Sequence, residues 1–292
     1  MSLVRFTNAR FVGWVDSGLE LPPIFLEDPT AVFRLPEAEV VLNCEARQIV
    51  RFGLEWNGEK QLFFLYIFKN RSFSRALRRN YAFHILRMSQ LLRDKEIETL
   101  RVVAAYRPRR QFLNWRSYLI VREIESVLEL PAVGRHSYQL HQRITLDGGL
   151  ITAVARQIAV LHNLGFVHGD LKSRHVLVRR NGLEPELSDI VLVDLEKTRS
   201  LGRWPNSLGD LYAARDLIQL LSSIPDQADS LPLSDRKKEL ILTYFAQRRL
   251  PPARSSRIEH FVNLYGPQGS FRQGRTLVGE LLRRLRSSRR RK

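Results

Sequence analysis

The sequence predicts an α+β chain in two parts: a small antiparallel sheet carrying one helix, then a larger helical part with a hairpin set into it. Three observations predict this. Strand-like apolar blocks flank an Asn-Gly turn signal within Trp56-Asn57-Gly58-Glu59. From about Glu123 the apolar spacing changes to three and four residues, the spacing of a helix face. Two short apolar blocks, 175–178 and 190–193, then interrupt the helical pattern with Asn181-Gly182 between them.

Taken in order, residues 1–40 hold Pro22, Pro23, Pro29 and Pro36 and read as an irregular, partly extended leading segment. Residues 45–54 and 62–68 read as paired strands. Residues 74–92 read as a helix, with Leu77, Tyr81, Ile85, Met88 and Leu92 on one face. Residues 101–106 and 118–121 read as two further strands. The helix at 150–164 carries Ile151, Val154, Ile158 and Leu161 on one side, and Gly165 stops it. Helices fill 207–223, 235–248 and 274–286. The expected organisation is therefore a leading segment 1–40, a sheet lobe 41–122, a helical lobe 123–282 and a basic tail 283–292.

The chain has 292 residues, 44% hydrophobic and 26% charged, a globular composition. Its one cysteine, Cys44, cannot form an internal disulfide. Residues 1–13 are polar and broken by Arg5 and Arg10, unlike a signal peptide, and the densest apolar run, 62–68, is too short to span a bilayer. A cytoplasmic protein is expected. The net charge of +17 suits a polyanionic partner: nucleic acid, anionic lipid or a phosphorylated substrate. Only eight of the 47 basic residues are Lys. Codon bias explains an Arg excess as well as function does, but it does not explain the net charge. Arg also suits bidentate contact with phosphate and carboxylate.

The chemistry concentrates in His168-Gly169-Asp170-Leu171-Lys172-Ser173-Arg174-His175, which falls between the long helix and the hairpin. The catalytic loop of protein kinases reads H-R-D-L-x-x-x-N. Here His, Asp and Leu keep that spacing, Gly169 replaces Arg, and His175 replaces Asn. Asp194 ends the second hairpin strand, within Val191-Leu192-Val193-Asp194-Leu195-Glu196, where kinases place a metal-binding Asp. Phosphoryl transfer needs a carboxylate to orient the acceptor hydroxyl, and oxygen ligands for Mg²⁺ on the phosphates. A loop and a hairpin bring Asp170 and Asp194 together across 24 positions. Lys172 reaches the transferred phosphoryl group as a mobile cation, and Lys69, ending an apolar strand, matches the lysine that holds the α/β-phosphates of ATP. An isolated His-x-Asp is common in loops, where Asp caps turns; the combination of helix, loop and hairpin is what points to a protein-kinase-like bilobal fold. Asp210, three residues after Ser207, reads as a capping-box residue. Asp216 reads equally as a surface carboxylate or as a brace for the catalytic loop. His84, His136, His141, His162 and His260 show no metal spacing and receive no role.

With these motifs in place, the sequence resembles the bacterial lipopolysaccharide kinases, the group of heptose and Kdo kinases, over roughly residues 45–250. The matching stretches are Ser117-Tyr118-Leu119-Ile120-Val121-Arg122-Glu123-Ile124-Glu125, which is similar to the lobe connector, the catalytic loop, Val193-Asp194-Leu195-Glu196-Lys197-Thr198-Arg199, and Arg215-Asp216-Leu217 with Ser222. Some members carry His at the position of His175. The resemblance implies ATP and Mg²⁺, a sugar hydroxyl of an anionic glycolipid as acceptor, and work at the inner face of the inner membrane. It implies Asp170 as base, Asp194 as metal ligand, His175 as a second metal ligand or a loop brace, and Lys69 on the phosphates; Lys172 and His168 stand beside Asp170 as further catalytic candidates, and Glu123 beside Lys69 as a further nucleotide-binding candidate. The basic tail is a candidate contact with anionic lipid, or a solvated end.

Two departures sustain competing readings. Residues 74–92 contain no acidic residue to pair with Lys69, with Asn80 near the place of the usual Glu, and residues 47–60 hold only Gly53 and Gly58 in place of a glycine-rich loop. Both support a catalytically silent, kinase-like scaffold. A protein kinase is a further alternative, opposed by the short stretch between Asp194 and Ser207 and the lack of an A-P-E segment. Nucleic-acid binding rests on charge alone and ranks last. The sugar, its hydroxyl and the oligomeric state are not legible.

Overall fold

The long apolar strand β5 (Glu59–Lys69) organises the first part of the chain, because it is flanked on both edges by other strands. In the computed structural model, residues 3–17, 21–56, 59–69, 80–109, 116–130, 148–179, 189–202, 206–224 and 233–265 are described. The chain divides into two units: residues 1–94 with 99–125, and residues 95–98 with 126–292.

In the first unit, β5 pairs with β4 (Arg47–Trp56) from Trp56↔Glu59 to Arg47↔Phe68, and with β7 (Arg116–Arg122) along its other edge. This is the expected hairpin, although the Asn57-Gly58 turn itself lies outside the described residues. With β1 (Leu3–Thr7), β2 (Phe11–Asp16), β3 (Glu39–Asn43) and β6 (Val102–Pro108), the sheet has the order β1-β2-β6-β7-β5-β4-β3, and every neighbouring pair is antiparallel. Strand pleating divides β5 between two faces. Phe63, Leu65 and Ile67 join a core with Val50, Phe52, Tyr118 and Ile120, closed by Phe25 and Val32. On the opposite face, the ring of Phe68 stacks at 5.7 Å on that of Tyr81. Tyr81 opens α2 (Tyr81–Arg93), whose N-cap Asn80 accepts a hydrogen bond from the Phe83 N–H at 3.1 Å. The helix expected at 74–92 is thus present from Tyr81, and residues 74–79 lie outside the described set.

Residues 1–40 differ from expectation. Among the described ones, β1 and β2 form a hairpin that extends the sheet beyond β6, and α1 (Pro23–Glu27) with a 3-10 turn at Pro29–Arg34 covers the core. Pro23 and Pro29 sit in the first positions of these two turns, where a missing N–H breaks no helical bond. The prolines therefore start helical turns and follow the hairpin. The division between units also falls later than the expected 122/123, since Glu123–Glu125 group with the sheet.

The second unit opens with β8 (Val127–Glu129) and α3 (Gly148–Asn163), and Gly165 follows in the left-handed region at φ +77°. After β9 (Phe166–Val167), strands β10 (Val176–Arg179) and β11 (Ile190–Leu192) form the expected hairpin, and β8 completes a three-stranded sheet on the other edge of β10. A short strand β12 (Arg199–Ser200) pairs with β9. Helices α4 (Asn206–Ser223), α5 (Leu233–Gln247) and α6 (Pro252–Tyr265) follow. The first two match expectation. α6 carries no periodic signal in the sequence, because among its described side chains only Ile258 and Val262 are buried. The Asn181-Gly182 turn, the helix expected at 274–286 and the tail 283–292 lie outside the described residues.

Leu65 is fully buried at the middle of β5. Leu65→Ala is expected to destabilise the first unit by about 2–5 kcal/mol, through lost burial and the cavity left behind. A shift in the urea midpoint checks this, and an unchanged midpoint would show that β5 is not central to the core.

Candidate active site

The loop after β9 is held by a carboxylate supplied from α4. Asp216 is fully buried. Its Oδ2 accepts the His168 backbone N–H at 2.7 Å, and its Oδ1 accepts the Gly169 N–H at 2.8 Å. Charge-assisted bonds of this kind are stronger than neutral ones. The same Oδ2 lies 3.3 Å from Nε2 of His162, whose Nδ1 lies 2.8 Å from the Tyr244 hydroxyl. Burial pushes the His162 pKa down, so the ring is neutral: Nε2–H donates to Asp216, and Nδ1 accepts from Tyr244. Asp216 is therefore the brace and not a surface group. His162, to which the sequence assigns no role, orients that brace. The capping role expected for Asp210 gives way to another: Asp210 is fully buried, receives Arg254 in a fork at 2.6–3.2 Å, and meets Arg257 at 3.4 Å.

Within this frame, Asp170 is buried but charged. Lys197 Nζ donates to its Oδ2 at 2.5 Å, and Lys172 Nζ lies 3.0 Å from its Oδ1. Burial alone would raise its pKa; the two ammonium groups outweigh burial and hold the carboxyl far below the usual carboxylate range. Lys172 in turn has its pKa lowered by burial. Gly169, at φ +79°, explains the missing Arg of the loop. A Cβ there would lie 2.5 Å from the Lys197 carbonyl oxygen.

His175 joins the loop to the hairpin. Its Nδ1–H donates to the Asp170 carbonyl at 2.8 Å, which leaves Nε2 with a lone pair 3.3 Å from Asp194 Oδ2. The Arg174 Nε–H donates to that Nε2 at 3.2 Å. Burial lowers the His175 pKa to about 4, so the ring is neutral at pH 7. The β10–β11 ladder produces this meeting: Val176 pairs with Leu192, and the Val193 N–H donates to the His175 carbonyl at 3.0 Å. Asp194 itself is left-handed, at φ 60° and ψ 57°, an uncommon conformation for a residue with a side chain and one found often at working sites. His168 donates its Nε2–H to the Val193 carbonyl at 2.8 Å, and its ring stacks on that of His175. It ties loop to hairpin.

A metal fits this pair by donor chemistry. A carboxylate oxygen and an imidazole lone pair converge, and a positive group, Arg174, already bonds to one of them. Among the described residues no set of three or more His, Cys, Asp and Glu side chains forms a metal cage. Mg²⁺ typically takes one or two carboxylates and completes its shell with phosphate and water, so Asp194 suits it, with His175 as a softer second donor.

Asp170, Lys172, His168, His175 and Asp194 thus meet in the second unit. Lys69 and Glu123 belong to the first, and both are engaged locally. Lys69 is the last residue of β5; its ammonium donates to Asn43 Oδ1 at 3.0 Å and to the Cys44 carbonyl at 3.2 Å. By pleating it shares the face of Phe63, Leu65 and Ile67, opposite the Phe68–Tyr81 stack. Kinases place the phosphate lysine and the helix on one face, and Lys69 departs from that arrangement because it lies one residue past Phe68. The Glu123 carboxylate takes a fork from Arg51 at 2.9 and 3.0 Å. A cavity of about 590 Å³ in the second unit is lined by His162, Phe166, Arg248 and Arg254 among others, and not by Asp170, Lys172, His175 or Asp194.

A family model described as the lipopolysaccharide kinase (Kdo/WaaP) family matches residues 38–244, which run from β3 through the loop after β9 and the β10–β11 hairpin into α5. The chain belongs to the lipopolysaccharide kinase family. It is a kinase, with a protein-kinase-like fold. Among solved structures, it is similar to WaaP in complex with acyl carrier protein, at 18% identity and a TM-score of 0.52, covering 91% of this chain and 98% of that one. A type I macrolide 2'-phosphotransferase matches at 12% identity and TM-score 0.48, covering 84% and 89%. The PknI kinase domain of Mycobacterium tuberculosis matches at 15% and 0.40, covering 78% and 94%. No curated protein matches the chain.

Two outcomes follow for this lipopolysaccharide kinase family member. Asp216→Asn turns one acceptor oxygen into an N–H group facing the loop's own donors; it is expected to lower stability by roughly 2–4 kcal/mol and activity at least tenfold. Urea melts and turnover assays check it, and an intact, active variant would remove Asp216 from the brace. The native pKa values of His162 and His175 lie below the unfolded value of about 6.5. Above that pH both rings are neutral in both states. Below it the unfolded chain binds protons that the native rings refuse, so stability falls as pH drops from about 6.5 towards 4. Melting temperatures across that range read the slope, and His162→Gln should flatten it.

Proposed function

We propose that this kinase transfers the γ-phosphoryl group of ATP to a hydroxyl of a lipopolysaccharide inner-core sugar, a heptose or Kdo, at the cytoplasmic face of the inner membrane. The observation that carries the reading is His175, which bonds the backbone of Asp170 with one nitrogen and faces the carboxylate of Asp194 with the other. That bond fixes His175 to the loop, and its other nitrogen and the Asp194 carboxylate converge as two acceptors that a cation would join.

Asp170 accepts the hydrogen bond of the acceptor hydroxyl and so aims its oxygen at the γ-phosphorus. Its low proton affinity suits a reaction in which the proton leaves late. Lys172 offers its ammonium to the transferred phosphoryl oxygens. Asp194 and His175 would hold Mg²⁺, which supplies charge neutralisation on the phosphates. His168 and Asp216 position the loop. A net charge of +17 suits a surface facing anionic lipid and an anionic acceptor. The similar WaaP is in complex with another protein, acyl carrier protein, and a strongly basic surface here would equally take an acidic protein partner.

The silent-scaffold reading keeps one specific support: α2 has no acidic side chain, and Lys69 and Glu123 are bonded elsewhere. A thermal-shift titration with ATP, with and without Mg²⁺, separates the two. A working site gains stability with ligand by mass action, in a Mg²⁺-dependent manner that Asp194→Ala removes. Asp170→Ala should keep that shift and lose turnover on core oligosaccharide. No shift at millimolar nucleotide in folded protein would favour the scaffold.

A further inference from the structure

We infer that the cavity beside β9, lined by Arg248, Arg249 and Arg254, binds a phosphate group, and that its occupant steadies the brace holding the catalytic loop. Asp170 and Asp194 do not line this cavity, so the inference stands apart from the transfer reaction proposed above.

Arg248 carries the argument. It is only 9% exposed, and a buried guanidinium calls for a counter-charge, because taking a charge out of water is costly. Among the described residues no carboxylate bonds to it. Its Nη1–H donates to the neutral Asn163 Oδ1 at 3.0 Å, its buried Nε–H has no partner, and its Cζ lies 5.7 Å from the centre of the Tyr244 ring. Burial lowers its pKa. The carboxylate that acts on it through space, Asp210, is already bonded to Arg254 and Arg257. Arg254 spends Nε and Nη2 on that carboxylate. Arg249 is exposed.

The cavity measures about 590 Å³, within the range of small-molecule sites. Leu164, Phe166 and Leu201 also line it, and apolar surroundings strengthen the pull of each charge. Guanidinium groups match phosphate oxygens in forked pairs. Asp210 offsets only part of the positive charge gathered here, which suits a phosphate carrying close to two negative charges at pH 7. The arginines are held in place: Asn163, ending α3, also accepts the Arg249 backbone N–H at 3.2 Å and donates to the Gln247 carbonyl at 3.0 Å. From this site a chain of contacts leads to the loop. Arg248 lies over Tyr244, whose hydroxyl meets His162, whose other nitrogen meets Asp216, which takes the His168 and Gly169 N–H groups. An anion that fixes Arg248 thereby fixes the ring beneath it and the bonds beyond.

The test follows melting temperature and calorimetric binding of the full-length protein with inorganic phosphate and with glycerol 3-phosphate, each against sodium chloride at equal ionic strength. Wild type should gain stability with ligand by mass action. Arg248→Met and Arg249→Ala should each weaken binding about tenfold or more, and Lys172→Met, altered at the catalytic loop, should keep it within about twofold. Should Arg248→Met not fold, the exposed Arg249→Ala decides the matter. A tighter fit of glycerol 3-phosphate identifies the occupant as a phosphomonoester and an equal fit as free phosphate; both support the site. Hydrogen exchange at the His168 and Gly169 amides should slow with ligand in wild type and not in Arg249→Ala. A response no greater than that to chloride, or one kept in Arg249→Ala and lost in Lys172→Met, overturns the site. Binding without added protection of those amides overturns its action on the loop.

Discussion

The carboxylate of Asp216 is the fixed point of the active site. A loop that leaves a strand, carries a catalytic group and enters a hairpin has few backbone bonds of its own. Asp216 supplies two, to consecutive N–H groups, from a helix that the loop itself precedes by some forty residues. Burial makes these bonds strong and makes their loss costly, because a buried carboxylate without donors and buried donors without a carboxylate are each unstable. His162 and Tyr244 complete the set, so α3, α4 and α5 all converge on one buried anion. The order of helices in the second unit is in this sense the order needed to build a single anchor.

From that anchor the site extends in one direction. The loop presents Asp170; His175 at its far end turns back to the Asp170 carbonyl; the hairpin ladder then brings Val193 and Asp194 alongside. Replacing the usual Asn by His keeps a donor for the loop carbonyl and adds a nitrogen acceptor towards Asp194. Replacing the usual Arg by Gly lets the next turn close on the loop. The two departures from the kinase motif therefore belong together, since one brings a cation-binding nitrogen beside Asp194 and the other lets the turn that follows Asp194 approach the loop.

Much of this is legible in the sequence because it follows local rules. The strands around Asn57-Gly58, the helix ended by Gly165 and the hairpin after the loop all follow from periodicity and turn chemistry, and spacing alone picks out the motif residues. What escapes is tertiary. The hairpin at the chain's start is masked by prolines that begin short helical turns. Helix α6 buries too little to show a period. Asp216 reads the same as a surface carboxylate until its burial is known, and His162 looks like a solitary histidine on an apolar face. Lys69 shows a different limit. A strand-end lysine has the right composition for a phosphate ligand, but pleating decides its face, and the sequence does not show which face that is.

The electrostatics of Asp170 explain what that carboxylate contributes to the transfer. Two ammonium groups hold the carboxyl far below the usual range, so it is a weak base. A weak base contributes little by removing a proton early, and phosphoryl transfer through a loose transition state asks little of it. Its contribution is orientation. Each ionised carboxylate oxygen carries two lone pairs, so the lysines beside Asp170 fix the direction of the group and still leave acceptor positions for an incoming hydroxyl. The same charges that keep Asp170 ionised therefore hold it in the orientation from which it aims the acceptor.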